Sequence, residues 1–488
     1  MVALVRVYAK VTTDNSGYQV QLPILLMEDK VFRPLLDYLL AQHHRRSISW
    51  MNRMVYATFL LLEYMEANKD LFSSPSILFL HFAQRLCTGT IGNNGLDPSG
   101  LYWLPKSTKN VNQILTALNG FTDWLVKSKG SISLNPLIEA SSYEERLNYA
   151  AWHKKNTQQF LGHIKPASLP TTIKQVRRVQ GKLDVIKVDS DAISFPENTF
   201  KRFFEEGLGG CKDYRVGLRD QLIVLLMHGC GVRESDALHL WIQDVFVDPH
   251  HENNAIVRLY HPEVGRAPDD WKCKNKQTNR AAYLREKYAL QPRNKLTGTA
   301  RVGWKTKVVE HQDNYINLYW FPSYLGELFY HLWHQYLRAI LPINRHHPYA
   351  FVSFSPGCEG QPYTLNAFNQ NYKNAHFRIG LTASKLDGLT PHSHRHAYGR
   401  RLRKAGIDPL LRKIALHHSS LESQSIYTQP GAFDVTEACN KATQLLESAE
   451  SSTPARPAYL SWKELVRTGF EDIDPNGLFS GHNPKFRR

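Results

Sequence analysis

The sequence predicts a mainly α-helical protein with small antiparallel β-sheets, and three observations lead to that class. The 488 residues exceed one ordinary domain and indicate two or three. Apolar side chains recur at three- and four-residue steps in segments such as 55–65 and 111–126, which is the period of a helix. Strand-like patterns are short, the clearest being the alternation in residues 1–25 and the two runs within 301–321.

The composition indicates a polyanionic partner. Hydrophobic residues make up 42% of the chain and aromatic residues 11%, which supplies a core and excludes global disorder. Lys and Arg number 60 against 44 Asp and Glu, a net charge of +16 that favours nucleic acid or an acidic membrane face. No apolar run is long enough to span a bilayer, and the N-terminus becomes charged too early for a signal peptide. Six cysteines without a CxxC pair fit reduced thiols, so we expect a cytoplasmic protein without a disulfide framework.

The chain divides into five predicted segments. A β-hairpin is expected at residues 1–25, with a turn at Ser16-Gly17. Prolines and basic residues interrupt the helical pattern after position 163 and predict an extended linker. The segments are 1–25 (hairpin), 26–163 (helical domain), 164–193 (linker), 194–434 (second, mainly helical domain) and 435–488 (tail).

The first of three blocks suited to phosphate chemistry is GVRESD, residues 231–236. An apolar helix should end at the glycines before it, which would hold Arg233 at the junction of two helices. Asp236, three residues further on, could brace that guanidinium. On its own this block is more typical of a surface arginine near a helix start.

The other two blocks lie near residue 400. In TPHSHRH, residues 390–396, Pro391 should begin a helix that carries His392 and Arg395 one turn apart. LHHSS, residues 416–420, supplies His418, and an IYT triplet places Tyr427 nine residues beyond it. Chance agreement of all these spacings is improbable.

Together the blocks resemble the tyrosine recombinase (phage integrase) family, whose members carry G-[LV]-R-x-x-[ED], T-P-H-x-x-R-H, L-G-H-x-S and a terminal I-Y-T. The resemblance covers about residues 194–432, with one departure, His417 where the family most often has Gly. It implies a helical core-binding domain and a tyrosine-recombinase catalytic domain that clamp duplex DNA. It also implies a site-specific recombinase or integrase, serving a mobile element, that cuts and rejoins DNA through a 3′-phosphotyrosyl intermediate without cofactor or metal.

The resemblance assigns each site residue a role that its chemistry fits. Arg233 and Arg395 offer bidentate forks to the phosphate oxygens, and His418 adds a further donor. His392 would accept the proton of the nucleophile, Tyr427, or donate a hydrogen bond.

The family also uses a lysine on a β-hairpin turn as the general acid for the leaving 5′ oxygen. The best candidate hairpin is residues 301–321, with a turn at 311–314. Lys305, which precedes Thr306 as in a K-T pair, is the expected acid, and Lys307 is the alternative. Residues 261–296 before it read as an insertion with a basic helix near 281–288.

The same residues also allow rival interpretations. The H-x-H-x-H run at 392–396 could suggest a metal, but positions two apart do not share a helix face. Tyr398 is a rival nucleophile that lies inside the basic helix and is expected to pack instead. A related Arg/Lys/Arg/His/Tyr topoisomerase is the alternative enzyme, and a catalytically silent DNA-binding relative is the non-enzymatic one. His392 favours recombination, because those topoisomerases often have Lys there.

The expected partner is double-stranded DNA, bound by a homotetramer on two sites, with accessory proteins or partner recombinases possible and no membrane. The protein would be cytoplasmic and associated with the nucleoid when on DNA. Residues 435–446 carry an apolar stripe at helical spacing that could dock on a neighbouring protomer or pack on its own domain.

Overall fold

The computed structural model describes residues 3–16, 19–28, 30–157, 171–182, 193–249, 251, 253–271 and 278–418. Within these ranges the chain is mainly helical with three small antiparallel sheets, which confirms the predicted fold class. The described part of the chain contains no helix whose length and apolar character would suffice to cross a bilayer.

The chain begins with an antiparallel hairpin. Strand β1 (Leu4–Thr12) pairs with β2 (Gln19–Met27) in a register that joins Leu4 to Met27 and Thr12 to Gln19. A short β3 (Lys30–Val31) extends the sheet beside β2. The buried face of β2 packs on the helices that follow, which ties the hairpin to the first helical unit.

Four helices build that unit, and serine caps start three of them. They are α1 (Arg33–Gln42), α2 (Ile48–Ala67), α3 (Pro75–Thr88) and α4 (Thr108–Lys129). Ser47, Ser74 and Ser107 each accept a hydrogen bond from the backbone N–H three residues ahead, which satisfies one of the orphan donors of a helix start. Apolar faces of α2, α3 and α4 enclose a common core.

Residues 171–182, within the predicted linker, attach to this first unit. Strand β4 (Leu137–Glu139) and helix α5 (Ser142–Thr157) are followed by β5 (Gln175–Arg177), which pairs antiparallel with β4. Val179 is buried in the core of the helical unit, and its backbone N–H donates to the side chain of Asn135. This stretch of chain is therefore packed rather than freely extended.

The second half is built around one buried helix. After α6 (Glu197–Arg202), which continues into a π-helical turn at Phe203–Leu208, comes α7 (Tyr214–Cys230). Every residue of α7 from Leu222 to Cys230 is buried, because α10 and α12 pack against this helix. The remaining helices are α8 (Glu234–Ala237), α9 (Arg280–Tyr288), α10 (Tyr324–Ile340), α11 (Leu365–Arg378), α12 (Pro391–Lys404) and α13 (Pro409–Ala415).

A three-stranded sheet of β6 (Val245–Val247), β7 (Ala255–Tyr260) and β8 (Tyr315–Leu318) lies beside these helices in the order β6-β7-β8. The prediction that two strands flank the turn at 311–314 is wrong. β8 pairs with β7, and residues 301–309 form no strand. Their backbone is bound elsewhere, since the N–H of Lys305 donates to a carboxylate rather than to a strand. The predicted basic helix of the 261–296 stretch is present as α9.

Candidate active site

Among the predicted site residues that the structure describes, Arg395 is the most buried, with 1% of its surface exposed. It lies on α12, which begins at Pro391 as predicted. Its Nη1 donates to the carbonyl of Gly231 at 2.5 Å, and its Nη2 donates to the carbonyl of Leu416. Those carbonyls follow the C-terminal ends of α7 and α13, where the helix dipoles are negative, so a cation is stabilised there.

Arg233 follows the end of α7 by three residues, and a buried carboxylate braces it. Asp236 is fully buried, and its Oδ2 lies 3.8 Å from Arg233 Nη1. Arg233 Nη1 also donates to Thr306 Oγ1 at 3.2 Å, and that hydroxyl donates to Asp236 at 2.7 Å. The predicted contact between Arg233 and Asp236 is thus present. Through Thr306 it extends to a segment 70 residues further along the chain.

Gly231 explains the tight turn between α7 and Arg233. Its φ of +67° lies in the left-handed region that favours glycine. A Cβ added there would lie 2.4 Å from the ring of Tyr398. The ring is itself fully buried, and its hydroxyl donates to the carbonyl of Tyr319 at 2.9 Å. Burial raises the pKa of Tyr398, so this rival nucleophile is a packed, protonated side chain.

His392 lies at the surface end of the same helix, with its ring 4.7 Å from that of His396 in an edge-to-face arrangement. Desolvation by its surroundings, and then the positive charge of Arg395, lowers the pKa of His392 to about 4. Arg233 and Lys305 act in the same direction. The imidazole is therefore neutral at pH 7 and has a lone pair that can accept a proton.

His394 belongs to a different environment from His392. Its ring is fully buried, with Nδ1 3.1 Å from His228 Nδ1 and Nε2 3.0 Å from the hydroxyl of Tyr372. It also stacks on Phe195 at 4.1 Å. Since His394 points into the core and His392 lies at the surface, the two do not converge on one point. No spacing in the sequence announced this buried contact with α7 and α11.

His418 is held by the end of α13. The N–H of His418 donates to the carbonyl of Lys413 at 3.0 Å, and that of His417 donates to Ile414 at 2.8 Å, which is the Schellman pattern. This motif needs a left-handed residue at its centre, and His417 has φ +51°. The departure from Gly thus falls at the position that requires φ > 0, where a non-glycine residue costs roughly 1 kcal/mol.

Charge and burial keep His418 neutral as well. The side chain is almost completely buried. Desolvation, followed by the positive charges of Arg395 and Arg233, lowers the pKa of His418 to about 3. The charges of both arginines therefore act on His418, although 185 residues separate it from Arg233.

Lys305 and Lys307 both have exposed side chains. The backbone N–H of Lys305 donates to Asp236 Oδ1 at 2.9 Å, which anchors this segment next to Arg233. The ammonium of Lys305 is among the charges that act on the pKa of His392 and of Glu234, whereas Lys307 is not. Of the two lysines, Lys305 is therefore the one whose charge acts on His392. Tyr427 lies outside the described residues.

A basic cleft opens beside Lys305. It has a volume of about 1180 Å³ and lies between the first helical unit and the second half of the chain. One wall comes from residues 43–51 and the other from residues of the 261–309 stretch, including the acidic Glu263. Its basic side chains are His43, His44, Arg45, Arg46, His261, Arg285, Lys295, Arg301, Lys305 and Lys307. Such a lining suits a polyanion.

Comparison with known proteins gives one family and several solved structures. The phage integrase family model matches residues 324–432. No curated protein matches the chain. The XerH site-specific recombinase bound to its palindromic difH substrate is 14% identical, with 83% of each chain covered and a TM-score of 0.46. The Tn1549 transposon integrase in complex with transposon right end DNA is 12% identical, with 84% of this chain and 98% of that chain covered and a TM-score of 0.44.

Proposed function

We propose that this protein, whose residues 324–432 match the phage integrase family model, is a tyrosine-type site-specific DNA recombinase or integrase. It would cut and rejoin duplex DNA through a covalent 3′-phosphotyrosyl intermediate and serve a mobile element. The observation that carries the proposal is the position of Arg395. This guanidinium joins the ends of α7 and α13, the two helices that precede Arg233 and His418.

The charges of the site fit a phosphodiester in the transition state. Attack at phosphorus builds negative charge on the non-bridging oxygens, and preorganised cations stabilise it without moving. Arg395 and Arg233 would bind those oxygens, with His418 as a further donor.

Proton transfer would use the neutral imidazole and the exposed lysine. Tyr427 attacks phosphorus, a new P–O bond forms to the phenolic oxygen, and the P–O5′ bond breaks. His392, whose pKa is about 4, is in the form that accepts the phenolic proton. Lys305 donates a proton to the departing 5′ oxygen. In the reverse step the 5′ hydroxyl attacks the phosphotyrosine, and the strand is rejoined.

DNA is the proposed partner, and the basic cleft between the two halves of the described chain is its proposed binding site. We propose that the active assembly is a homotetramer on two duplexes, with room for accessory proteins or partner recombinases. The enzyme would act in the cytoplasm, on the nucleoid. The predicted domain limits at residues 163, 193 and 434 remain part of this proposal.

A nicked duplex tests the reaction. If the DNA next to the gene holds the target, a substrate nicked just 3′ of the cleavage site loses a short 5′-hydroxyl strand and traps the covalent complex. A denaturant-resistant protein–DNA adduct, sensitive to protease, is expected, and its sequenced joint identifies the site. Absence of any adduct across the flanking DNA, with DNA bound, would favour the catalytically silent relative. Relaxation of a supercoiled plasmid that lacks the site would favour the topoisomerase.

A further inference from the structure

A buried carboxylate connects the Lys305 segment with the turn before His418. Glu310 lies five residues after Lys305, and its side chain is only 16% exposed. Its Oε1 is 3.0 Å from Nδ1 of His417. Its Oε2 accepts hydrogen bonds from the backbone and side-chain nitrogens of Asn317, each at 3.2 Å, and from the hydroxyl of Tyr319 at 3.0 Å. Four donors thus fix the carboxylate, two of them from Asn317 on β8.

His417 is the residue whose conformation needs such support. It has φ +51° at the centre of the Schellman turn, where glycine would rest without strain. Its side chain is 1% exposed, and its Nε2 has no hydrogen-bond partner among the described residues. The Nδ1 contact with Glu310 is therefore the polar interaction that holds the imidazole, and Nδ1 carries the proton that it donates.

The geometry points to Glu310 as a positioning residue for the reaction proposed above: through its hydrogen bond to His417 it holds the left-handed turn that places His418 beside Arg395. The chain links these parts directly. The carbonyl of Leu416 accepts a hydrogen bond from Arg395, and Nδ1 of the next residue, His417, donates one to Glu310. His418 directly follows these two residues in the chain. A shift of the turn would move both the arginine's anchor and the histidine.

This role differs from that of Asp236. Asp236 holds Arg233, Lys305 and Thr306 around one carboxylate, so it fixes the lysine segment itself. Glu310 lies five residues after Lys305 and contacts His417, the residue before His418. Loss of Glu310 should therefore weaken stabilisation of the phosphate rather than protonation of the leaving group.

A double-mutant cycle tests this coupling on the full-length protein. Glu310→Ala should slow covalent cleavage about tenfold, because His417 loses the partner that holds its strained turn. His417→Gly should cleave within about twofold of wild type, since glycine adopts φ > 0 unaided. Glu310→Ala with His417→Gly should cleave as His417→Gly does. The proposal is overturned if Glu310→Ala cleaves as wild type, or if the double variant is as slow as Glu310→Ala alone.

Controls separate this outcome from unfolding. Glu359→Ala removes a carboxylate that pairs with Arg215 at 3.0 Å, away from the site, and should leave cleavage unchanged. Melting temperature and DNA affinity are measured for every variant. If His417→Gly does not fold, His417→Asn replaces it, because asparagine also tolerates the left-handed region and its amide can donate to Glu310. The Asn variant should then cleave at least half as fast as wild type, and a rate as low as that of Glu310→Ala overturns the proposal.

A 5′-bridging phosphorothiolate substrate gives a second, independent readout. A thiolate leaves without a proton, so this substrate should rescue Lys305→Ala and leave Glu310→Ala about tenfold slow. Equal rescue of both variants would assign Glu310 to the lysine segment and overturn the route through His417. If wild-type protein forms no covalent adduct on any substrate, the proposed function fails, and that result is distinct from either outcome of the cycle.

Discussion

Arg395 donates a hydrogen bond to the carbonyl of Gly231, two residues before Arg233. The two arginines come from chain segments more than 160 residues apart, and this bond fixes the distance between their backbones. Because the second Nη of Arg395 holds Leu416, one guanidinium sets the relative positions of Arg233 and His418. Arg395 is therefore both a proposed phosphate ligand and the structural link between the parts of the site.

Tyr427→Phe should bind DNA with wild-type affinity and form no covalent adduct, because the change removes only the phenolic oxygen that attacks phosphorus. Gel electrophoresis after denaturation measures the adduct, and a mobility shift measures binding. Tyr398→Phe is the matched control, although it removes a buried hydrogen bond to Tyr319 and should be checked for stability. A denaturant-resistant adduct in Tyr427→Phe would refute the assignment of the nucleophile.

Arg395→Lys should slow cleavage by two to three orders of magnitude, roughly 3–4 kcal/mol of transition-state stabilisation. A lysine cannot span both carbonyls and still offer a fork to phosphate. Arg233→Ala should cost a similar amount. Single-turnover cleavage rates are the measurement.

Arg202→Ala is a matched control for the arginine variants, since Arg202 is 56% exposed in a surface pair with Glu206. It should cleave normally. Because the cations of the protein carry the charge stabilisation, EDTA should leave wild-type cleavage intact. Near-wild-type cleavage by Arg395→Lys, or strict dependence on added divalent metal, would contradict the mechanism.

Lys305→Ala should be defective on ordinary DNA and recover on a 5′-bridging phosphorothiolate substrate, because a thiolate needs no proton to leave. Lys307→Ala is the natural control, being an exposed lysine two residues away whose charge does not act on the pKa of His392. Cleavage rates on the two substrates are compared for each variant. Selective rescue of Lys307→Ala instead would move the acid to that residue.

The dependence of kcat/KM on pH should report the low pKa of His392 in the free enzyme. A pKa of about 4 means that the neutral, proton-accepting imidazole is present above pH 4 and is lost only as the pH falls through that value. An ordinary histidine would lose it near pH 6.5. The rate should therefore stay level from pH 7 to about pH 5. A half-maximal rate near pH 6.5 that vanishes in His392→Gln would show an unshifted histidine.

Truncation after Asp434 should leave binding to a single site intact and abolish synaptic complexes and recombination. The reason is the apolar stripe that the sequence predicts at residues 435–446, which we expect to dock in a groove on a neighbouring protomer. Those residues lie outside the described part of the chain, so the prediction rests on sequence. Native gels with two labelled duplexes measure synapsis. Full strand exchange by the truncated protein would leave the stripe with no part in assembly.

Local sequence patterns determined much of this protein. Helical periodicity predicted the helices around residues 55–65 and 111–126, and Pro391 predicted the start of α12, because these signals depend on residues within one or two turns. The contiguous blocks around Arg233, Arg395 and His418 predict the residues that we propose bind phosphate. Charge composition predicted a polyanionic partner, which the basic cleft supports.

Only the tertiary structure decided how those blocks meet. The contacts of Asp236 with Thr306 and of Glu310 with His417 span 70 and 107 residues, and no periodicity relates such positions. For the same reason the partner of β8 was mispredicted: strand pairing depends on which chain segments the core brings together, here β7 across an intervening helix. Neighbouring residues set conformation, whereas packing in the core sets the distances on which the site's chemistry depends.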